Sequence, residues 1–284
     1  MNAFRGIACL ILALPALAHA DDRPSTRTGD FRDFPAFAST VLGNVRKVTV
    51  MLPPSYAASP QRRYPVLYAH DLQNLFDEKG SFIGKEWRLD ETLTQMWSAK
   101  RIPEIIVVGI ANTPKRMSEY MPGPTGDQYV RFITVELKPF IDNRFRTKRG
   151  PADTAMMGSS MGALISVWGS LTRPDVFGGA AGLSPAMQFA DEIRTRMESE
   201  RPSRIHWYLD VGTDEIPGDA GQRLVQAFRD ARSALVQGGY REGTDFVAEV
   251  IPGGVHNEVS WAARVDKPLE FLFGGNDEAP KTHR

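Results

Sequence analysis

The chain has 284 residues, and its 34 Lys+Arg are matched by 34 Asp+Glu. That balance gives no electrostatic basis for binding nucleic acid or an anionic membrane surface. The single cysteine, Cys9, lies in an N-terminal apolar segment, so the remainder of the chain can form neither disulfides nor thiolate metal sites.

Residues 1–20 read as a secretory signal: Arg5, an apolar run from Ile7 to Ala18, and a small-x-small site at Ala18-His19-Ala20. The run falls short of the roughly 20 apolar residues that span a bilayer. Cleavage near Ala20 and a periplasmic or secreted protein without a membrane anchor are therefore expected. Residues 21–45 read as a lead-in, 46–273 as one domain without a linker, and 274–284 as a polar, frayed tail.

Short β-branched runs alternate with segments of helical period, which predicts an α/β fold with a mostly parallel central sheet and helices on both faces. Strands are expected at Lys47–Leu52, Tyr64–His70, Glu104–Ala111, Thr154–Gly158, Gly178–Leu183, His206–Val211 and Val247–Ile251. Val130, Ile133, Leu137 and Ile141 share one helical face, and Leu224, Phe228, Ala231 and Leu235 share another. Pro139 falls inside the first of these helices and should kink or split it. In such a sheet the chemistry belongs just beyond the carboxyl ends of the strands.

Gly158-Ser159-Ser160-Met161-Gly162 follows an apolar strand and precedes a buried helical run. This is Gly-x-Ser-x-Gly in a strand-turn-helix setting, where the glycines permit a sharp turn that lifts the central serine clear of the sheet. Ser160 is the candidate nucleophile, and the Met161 amide, at the helix start, is a candidate oxyanion donor. The same five residues can also be simple turn punctuation.

A serine nucleophile needs a base that titrates near neutrality. His283 lies in the polar tail, His206 opens a strand at the wrong sheet edge, and His70 precedes the serine. His256 follows the last strand and Pro252-Gly253-Gly254, in the order serine, acid, histidine. The acid should follow the strand His206–Val211, where Asp214, Glu215 and Asp219 all stand, and spacing does not choose among them. Asp210 reads as structural. The second oxyanion donor should come from the loop after His70, with the amides of Leu72 and Gln73 as candidates.

Longer stretches resemble the "putative esterase" family of α/β-hydrolases, which includes esterase D-like, enterochelin-esterase-like and feruloyl-esterase-like enzymes. They are Tyr64–Asp77, Trp87 with Asp90, Ile105–Asn112, Arg116 with Glu119-Tyr120-Met-Pro122, Leu137–Asp142, the Gly158–Gly162 turn, Phe177–Pro185, and Gly253–Glu258 with Trp261. The resemblance implies the α/β-hydrolase fold and a triad of Ser160, His256 and Glu215, with Asp214 as the alternative acid. It further implies oxyanion amides at Gln73 and Met161. Leu72 stands where the family usually has glycine, a change that could narrow the cleft or alter the loop. Arg116, Glu119 and Tyr120 are expected to line the cleft rim or to brace it through an ion pair.

The expected reaction is hydrolysis of a small or medium carboxylic ester, siderophore-type, feruloyl or acetyl-sugar or simple, through an acyl-enzyme, with no metal or organic cofactor. An acyltransferase using the same triad and a binding protein that has lost turnover are the alternatives.

Overall fold

The protein is described by a computed structural model over residues 23–199 and 205–275. The expected signal segment, and the expected tail beyond Gly275, lie outside the described residues. Eight strands form one sheet in the order β1-β2-β4-β3-β5-β6-β7-β8. They are β1 (Asp30–Ser39), β2 (Asn44–Leu52), β3 (Val66–His70), β4 (Ile106–Ile110), β5 (Thr154–Ser159), β6 (Gly179–Leu183), β7 (His206–Gly212) and β8 (Phe246–Ile251).

The pairs β1/β2 and β2/β4 are antiparallel, and every other neighbouring pair is parallel. The seven expected strands are all present. The eighth, β1, falls in the segment read as a lead-in, where the register shifts between Phe34 and Phe37 around Pro35.

The inner parallel strands β3, β4, β5 and β6 are buried along their whole length because both sheet faces are covered, while the border strand β8 is only partly so. With period two, Val66, Tyr68, Ile106, Val108, Met156, Trp207 and Leu209 join one core cluster, while Leu67, Ala69, Val107, Ala155, Met157 and Tyr208 join the other. The first face is covered by α3 (Pro124–Arg131), α4 (Lys138–Arg144), α5 (Met161–Thr172), α6 (Asp191–Ser199) and α7 (Asp219–Gln237). Helices α1 (Leu89–Ser98), α8 (Glu258–Ala262) and α9 (Asp266–Phe273) cover the second, and α2 (Arg116–Glu119) lies on the loop after β4.

Between α3 and α4 the chain keeps turning as a π-helical segment, Phe132–Leu137, and Pro139 sits in the first turn of α4. Proline lacks an N–H and its ring clashes with the carbonyl four residues back. In place of the expected kink or split, the backbone stays helical up to the proline and the wider π turn absorbs the irregularity.

From β3 the chain crosses to β4 on one side and then to β5 on the other. Such a reversal opens a crevice above the carboxyl ends of β3 and β5, where this class of sheet binds ligands.

Beside that crevice, Arg46 donates to Glu119 at 2.9 Å with both side chains almost fully buried, at 0% and 2% exposure. Asn44 donates to the same Glu119 oxygen, and the Arg46 guanidinium lies 4.9 Å from the Phe132 ring centre. Removing one member strands a buried charge, so Glu119→Ala should lower stability by about 3–5 kcal/mol in urea unfolding. A change under about 1 kcal/mol would show that this pair behaves like a surface one.

Candidate active site

Ser160 lies between β5 and α5 with φ 55° and ψ −121°, a backbone region that a residue with a Cβ enters only when its surroundings force it. A Cβ at Gly158 would lie 2.5 Å from a Gly162 backbone carbon, and one at Gly162 would lie 3.1 Å from Asp71 Oδ2. Gly158 is therefore required by close backbone approach, and Gly162 sits where a Cβ would press on the Asp71 carboxylate. The Ser160 amide donates to Leu183 O at 3.0 Å, and the Ser160 carbonyl accepts from Leu164 and Ala186. These bonds fix the turn from both sides.

His256 Nδ1 lies 2.6 Å from Glu215 Oε2. The other carboxylate oxygen of Glu215 accepts from Ser184 Oγ at 2.6 Å and from the Gly212 amide at 2.5 Å. Burial pushes the Glu215 carboxyl up, but the hydrogen bonds from His256, Ser184 and Gly212 together outweigh it and hold the group below the usual glutamate range. The alternative acid Asp214 is exposed, with its backbone amide bonded to Gly254 O, and Asp219 is exposed in the first turn of α7. Of the three carboxylates, Glu215 is the one the fold brings to His256.

The two loops that meet here are zipped together. Thr213 N donates to Ile251 O, Gly253 N to Thr213 Oγ1, and His256 N to Glu215 O. Gly212 and Gly254 touch so closely that a Cβ on Gly212 would lie 2.0 Å from Gly254 O. The Pro252-Gly253-Gly254 segment thus serves close packing, which sets His256 against the end of β7.

Ser160 and His256 line one cleft of about 380 Å³ together with Asp71, Gln73, Asn74, Phe82, Ile83, Asn112, Arg116, Glu258 and Trp261. A larger groove of about 950 Å³ runs beside α7, lined by Asp214 and Asp219 but by neither Ser160 nor His256. Leu72, Gln73 and Asn74 form one 3-10 turn after Asp71, which adopts the left-handed region at φ 59°. The first amides of any helical turn have no partner within it. That leaves Leu72, Gln73 and Met161 N–H free of intrahelical bonds, and of these three residues Gln73 lines the cleft.

The Gln73 side chain donates to Asn112 Oδ1 at 2.9 Å and accepts from Asn112 N. Asn112 Nδ2 and both ends of the Arg116 fork bind Asp71, the latter at 2.9 and 2.8 Å. The Leu72 side chain does not line the cleft. It fills the space above Gly109, where a Cβ would meet its Cδ1 at 2.6 Å, and lines a neighbouring pocket with Phe76 and Arg27. Its bulk goes into the core cluster beside Phe76, so the expected narrowing does not arise from it.

Arg116 reaches the cleft, but its ionic partner is Asp71 and not Glu119. Glu119 is buried on Arg46, and Tyr120 is buried under Arg116 and against His70, so neither lines the cleft. His70 is fully buried with Nδ1 on Tyr129 Oη, and burial pushes it down to about 4. His206 is exposed and bonded to Thr244 O.

Sequence reasoning gave no role to three groups behind Glu215. Ser184, at φ 48°, accepts from Trp261 Nε1 at 2.9 Å and from Arg264 at 3.1 Å. Arg264 also bonds Asp210 through Nε and Nη2, so Asp210 is structural as expected. The Leu183-Ser184-Pro185 and Trp261 resemblances were the available signal.

The chain matches the family described as "Putative esterase" over residues 39–272. It is 24% identical to "Uncharacterized protein YbbA" of Bacillus subtilis over 81% of this chain and 94% of that protein. It is 26% identical to an "Endo-1,4-beta-xylanase/feruloyl esterase" of Xylanibacter ruminicola, over 84% of this chain but 30% of that one. Among solved structures it resembles a ferulic acid esterase, with a TM-score of 0.65 and 20% identity over 86% of this chain and 98% of the other. It also resembles the ferric enterobactin esterase of Salmonella typhimurium, with a TM-score of 0.70 and 19% identity over 88% and 60%.

Because Glu215 titrates below its ordinary value, the stability it contributes is fully present above about pH 4.3 and is lost as pH falls through the lowered folded value. Glu215→Gln should cost about 1.5–3 kcal/mol at pH 7, with the gap in melting temperature to the wild type closing as pH drops below 4. A gap unchanged down to pH 3 would contradict this electrostatic account.

Proposed function

The chain belongs to the putative esterase family, and from that membership we propose that it is an ester hydrolase working through Ser160, His256 and Glu215. The observation that carries this reading is the 2.6 Å contact of His256 with Glu215 in the cleft that Ser160 lines. In the proposed reaction His256 Nε2 takes the Ser160 proton as Oγ bonds to the ester carbonyl carbon. Glu215 holds the Nδ1–H tautomer and stabilises the imidazolium that forms.

The carbonyl oxygen becomes an anion, and the amides of Gln73 and Met161 receive it. His256 returns the proton to the departing alcohol as the C–O bond breaks, leaving an acyl-Ser160. Water then gives a proton to His256 as its oxygen bonds to the acyl carbon, and His256 passes that proton to Ser160 Oγ as the acyl–Oγ bond breaks, releasing the carboxylic acid and restoring the serine. The strained backbone at Ser160 supports this reading, since such strain persists only where the surrounding structure enforces it and is concentrated at active sites.

Substrates with an aromatic acyl group are the proposed class. Phe82 is 86% exposed, and it stands with Ile83 and Trp261 along a cleft whose one cation, Arg116, is already held by Asp71. Planar apolar surface of this kind favours an aryl group.

Fluorophosphonate should label the wild type and fail on Ser160→Ala. His256→Ala and Glu215→Gln should lower kcat/KM on p-nitrophenyl butyrate by about 10²–10⁴-fold. A folded wild type that neither labels nor turns over short esters would sink the mechanism. For the acyl class, Phe82→Ala should reduce kcat/KM for methyl ferulate by about 5–10-fold, on the scale of one aromatic contact, while leaving p-nitrophenyl acetate unchanged. Equal losses on both esters would remove the aromatic preference and leave the mechanism standing.

A further inference from the structure

Outside the cleft, Glu86, Asp90 and Glu91 bring one carboxylate oxygen each to within 4.8 Å of one another. Glu86 and Asp90 are buried, at 5% and 0% exposure. Each of the three also keeps one buried oxygen, Glu86 Oε2, Asp90 Oδ1 and Glu91 Oε2, without a hydrogen-bond partner. The opposite oxygens are engaged: Thr26 Oγ1 donates to Glu86 Oε1, the Thr28 amide and hydroxyl donate to Asp90 Oδ2, and Arg88 lies 3.8 Å from Glu91 Oε1. Asp90 and Glu91 sit in the first turn of α1, where the helix dipole favours negative charge. Glu86 precedes the helix, and the dipole does not account for its burial beside them.

We infer that Glu86, Asp90 and Glu91 form a structural site for a hard divalent cation of the calcium class. The donors are all oxygen, with no imidazole or thiolate, which selects against zinc and copper. Calcium binds oxygens at about 2.3–2.6 Å, so ligands on opposite sides of one ion stand about 5 Å apart, and the three carboxylates fit within that sphere. Calcium accepts irregular geometry and completes its shell with further oxygens, whereas magnesium demands a near-ideal octahedron at about 2.0–2.1 Å, which carboxylates already tied to Thr26, Thr28 and Arg88 are not arranged to give. Burial and the Glu91 charge push Glu86 up to about 7, and burial with a side-chain hydrogen bond between Asp90 and Glu91, made when one of them is protonated, pushes Asp90 up to about 7; a cation would displace that shared proton and offset the cost of ionisation.

The placement gives the ion a structural role. Trp87 N donates to Asn74 O and Leu89 N to Leu75 O, joining this segment to the loop after β3. The Trp87 ring lies 6.0 Å from Trp261, which lines the cleft. Thr26 and Thr28 bring in the chain that precedes β1.

The full chain is stripped with EDTA, exchanged into chelator-treated buffer at pH 7.5 and titrated with CaCl₂ by calorimetry, thermal melting and tryptophan fluorescence, with MgCl₂ in parallel. One Ca²⁺ per chain should bind with Kd below about 1 mM, inside the range of extracellular calcium modules. The melting temperature should rise by about 5 °C or more at a hundredfold excess over Kd, with a weaker response to Mg²⁺. Glu91→Gln, at the partly exposed edge, should keep the fold and weaken Ca²⁺ binding at least tenfold, and Glu86→Gln with Asp90→Asn should abolish it. The inference is overturned by a wild type that ignores Ca²⁺, and a gain in stability between pH 8 and pH 6 in that case would show that a shared proton occupies the cluster instead. An equal response to Mg²⁺, or a Ca²⁺ response that survives in Glu91→Gln, overturns it as well.

Discussion

The backbone of Ser160 is the constraint around which the rest of the site is arranged. A residue with a Cβ at φ 55° and ψ −121° stores about 1–3 kcal/mol of strain, and the fold holds it there by allowing no alternative path. Gly158 lets the start of α5 press onto the end of β5, and Gly162 lets the loop after β3 press onto α5. These two approaches bring Asp71 against the serine turn, so the amides of Gln73 and Met161 belong to one packed unit. Arg116 and Asn112, by holding the Asp71 carboxylate, fix the left-handed residue from which that loop starts.

Glu215 connects the other half. Its two oxygens reach the histidine loop after β8, the serine after β6 and the amide at the end of β7. Behind it, Ser184 carries donors from Trp261 and Arg264, and Arg264 is itself neutralised by Asp210. A buried carboxylate with this many donors stays ionised without a cation at the cleft surface. The only metal-like constellation among the described residues is Glu86, Asp90 and Glu91, none of which lines the cleft.

The inner parallel strands were legible because burial on both faces leaves them as short continuous apolar runs, and Ser160 was legible because its turn carries glycine on either side. His256 was reached by elimination, which worked because the chain has so few histidines. The choice of Glu215 over Asp214 was not available from spacing: adjacent residues in an irregular loop differ by which way the backbone turns, and here that direction is set by Gly212 against Gly254. β1 was missed because Pro35 and interspersed charges break the pattern of a paired strand. Its Phe31, Phe34 and Phe37 are only partly buried and pack at the margins of the cores. The Arg116–Glu119 pairing failed for a different reason. The resemblance grouped these residues at the rim, while two partners far apart in the chain, Asp71 and Arg46, offered each residue a better-enclosed counterion.

The bulge in β1 also bears on how the molecule meets others like it. An outermost strand exposes a row of unused backbone donors and acceptors that can template the addition of a foreign strand. Here that row is interrupted by Pro35, which has no N–H, and by the register shift between Phe34 and Phe37, while Asp30, Arg32 and Asp33 place charge along the same stretch. At the opposite border, β8 carries Glu249 paired with Lys267. Along the two borders of the described sheet, irregularity on one side and charge on the other thus oppose the edge-to-edge addition of a further strand.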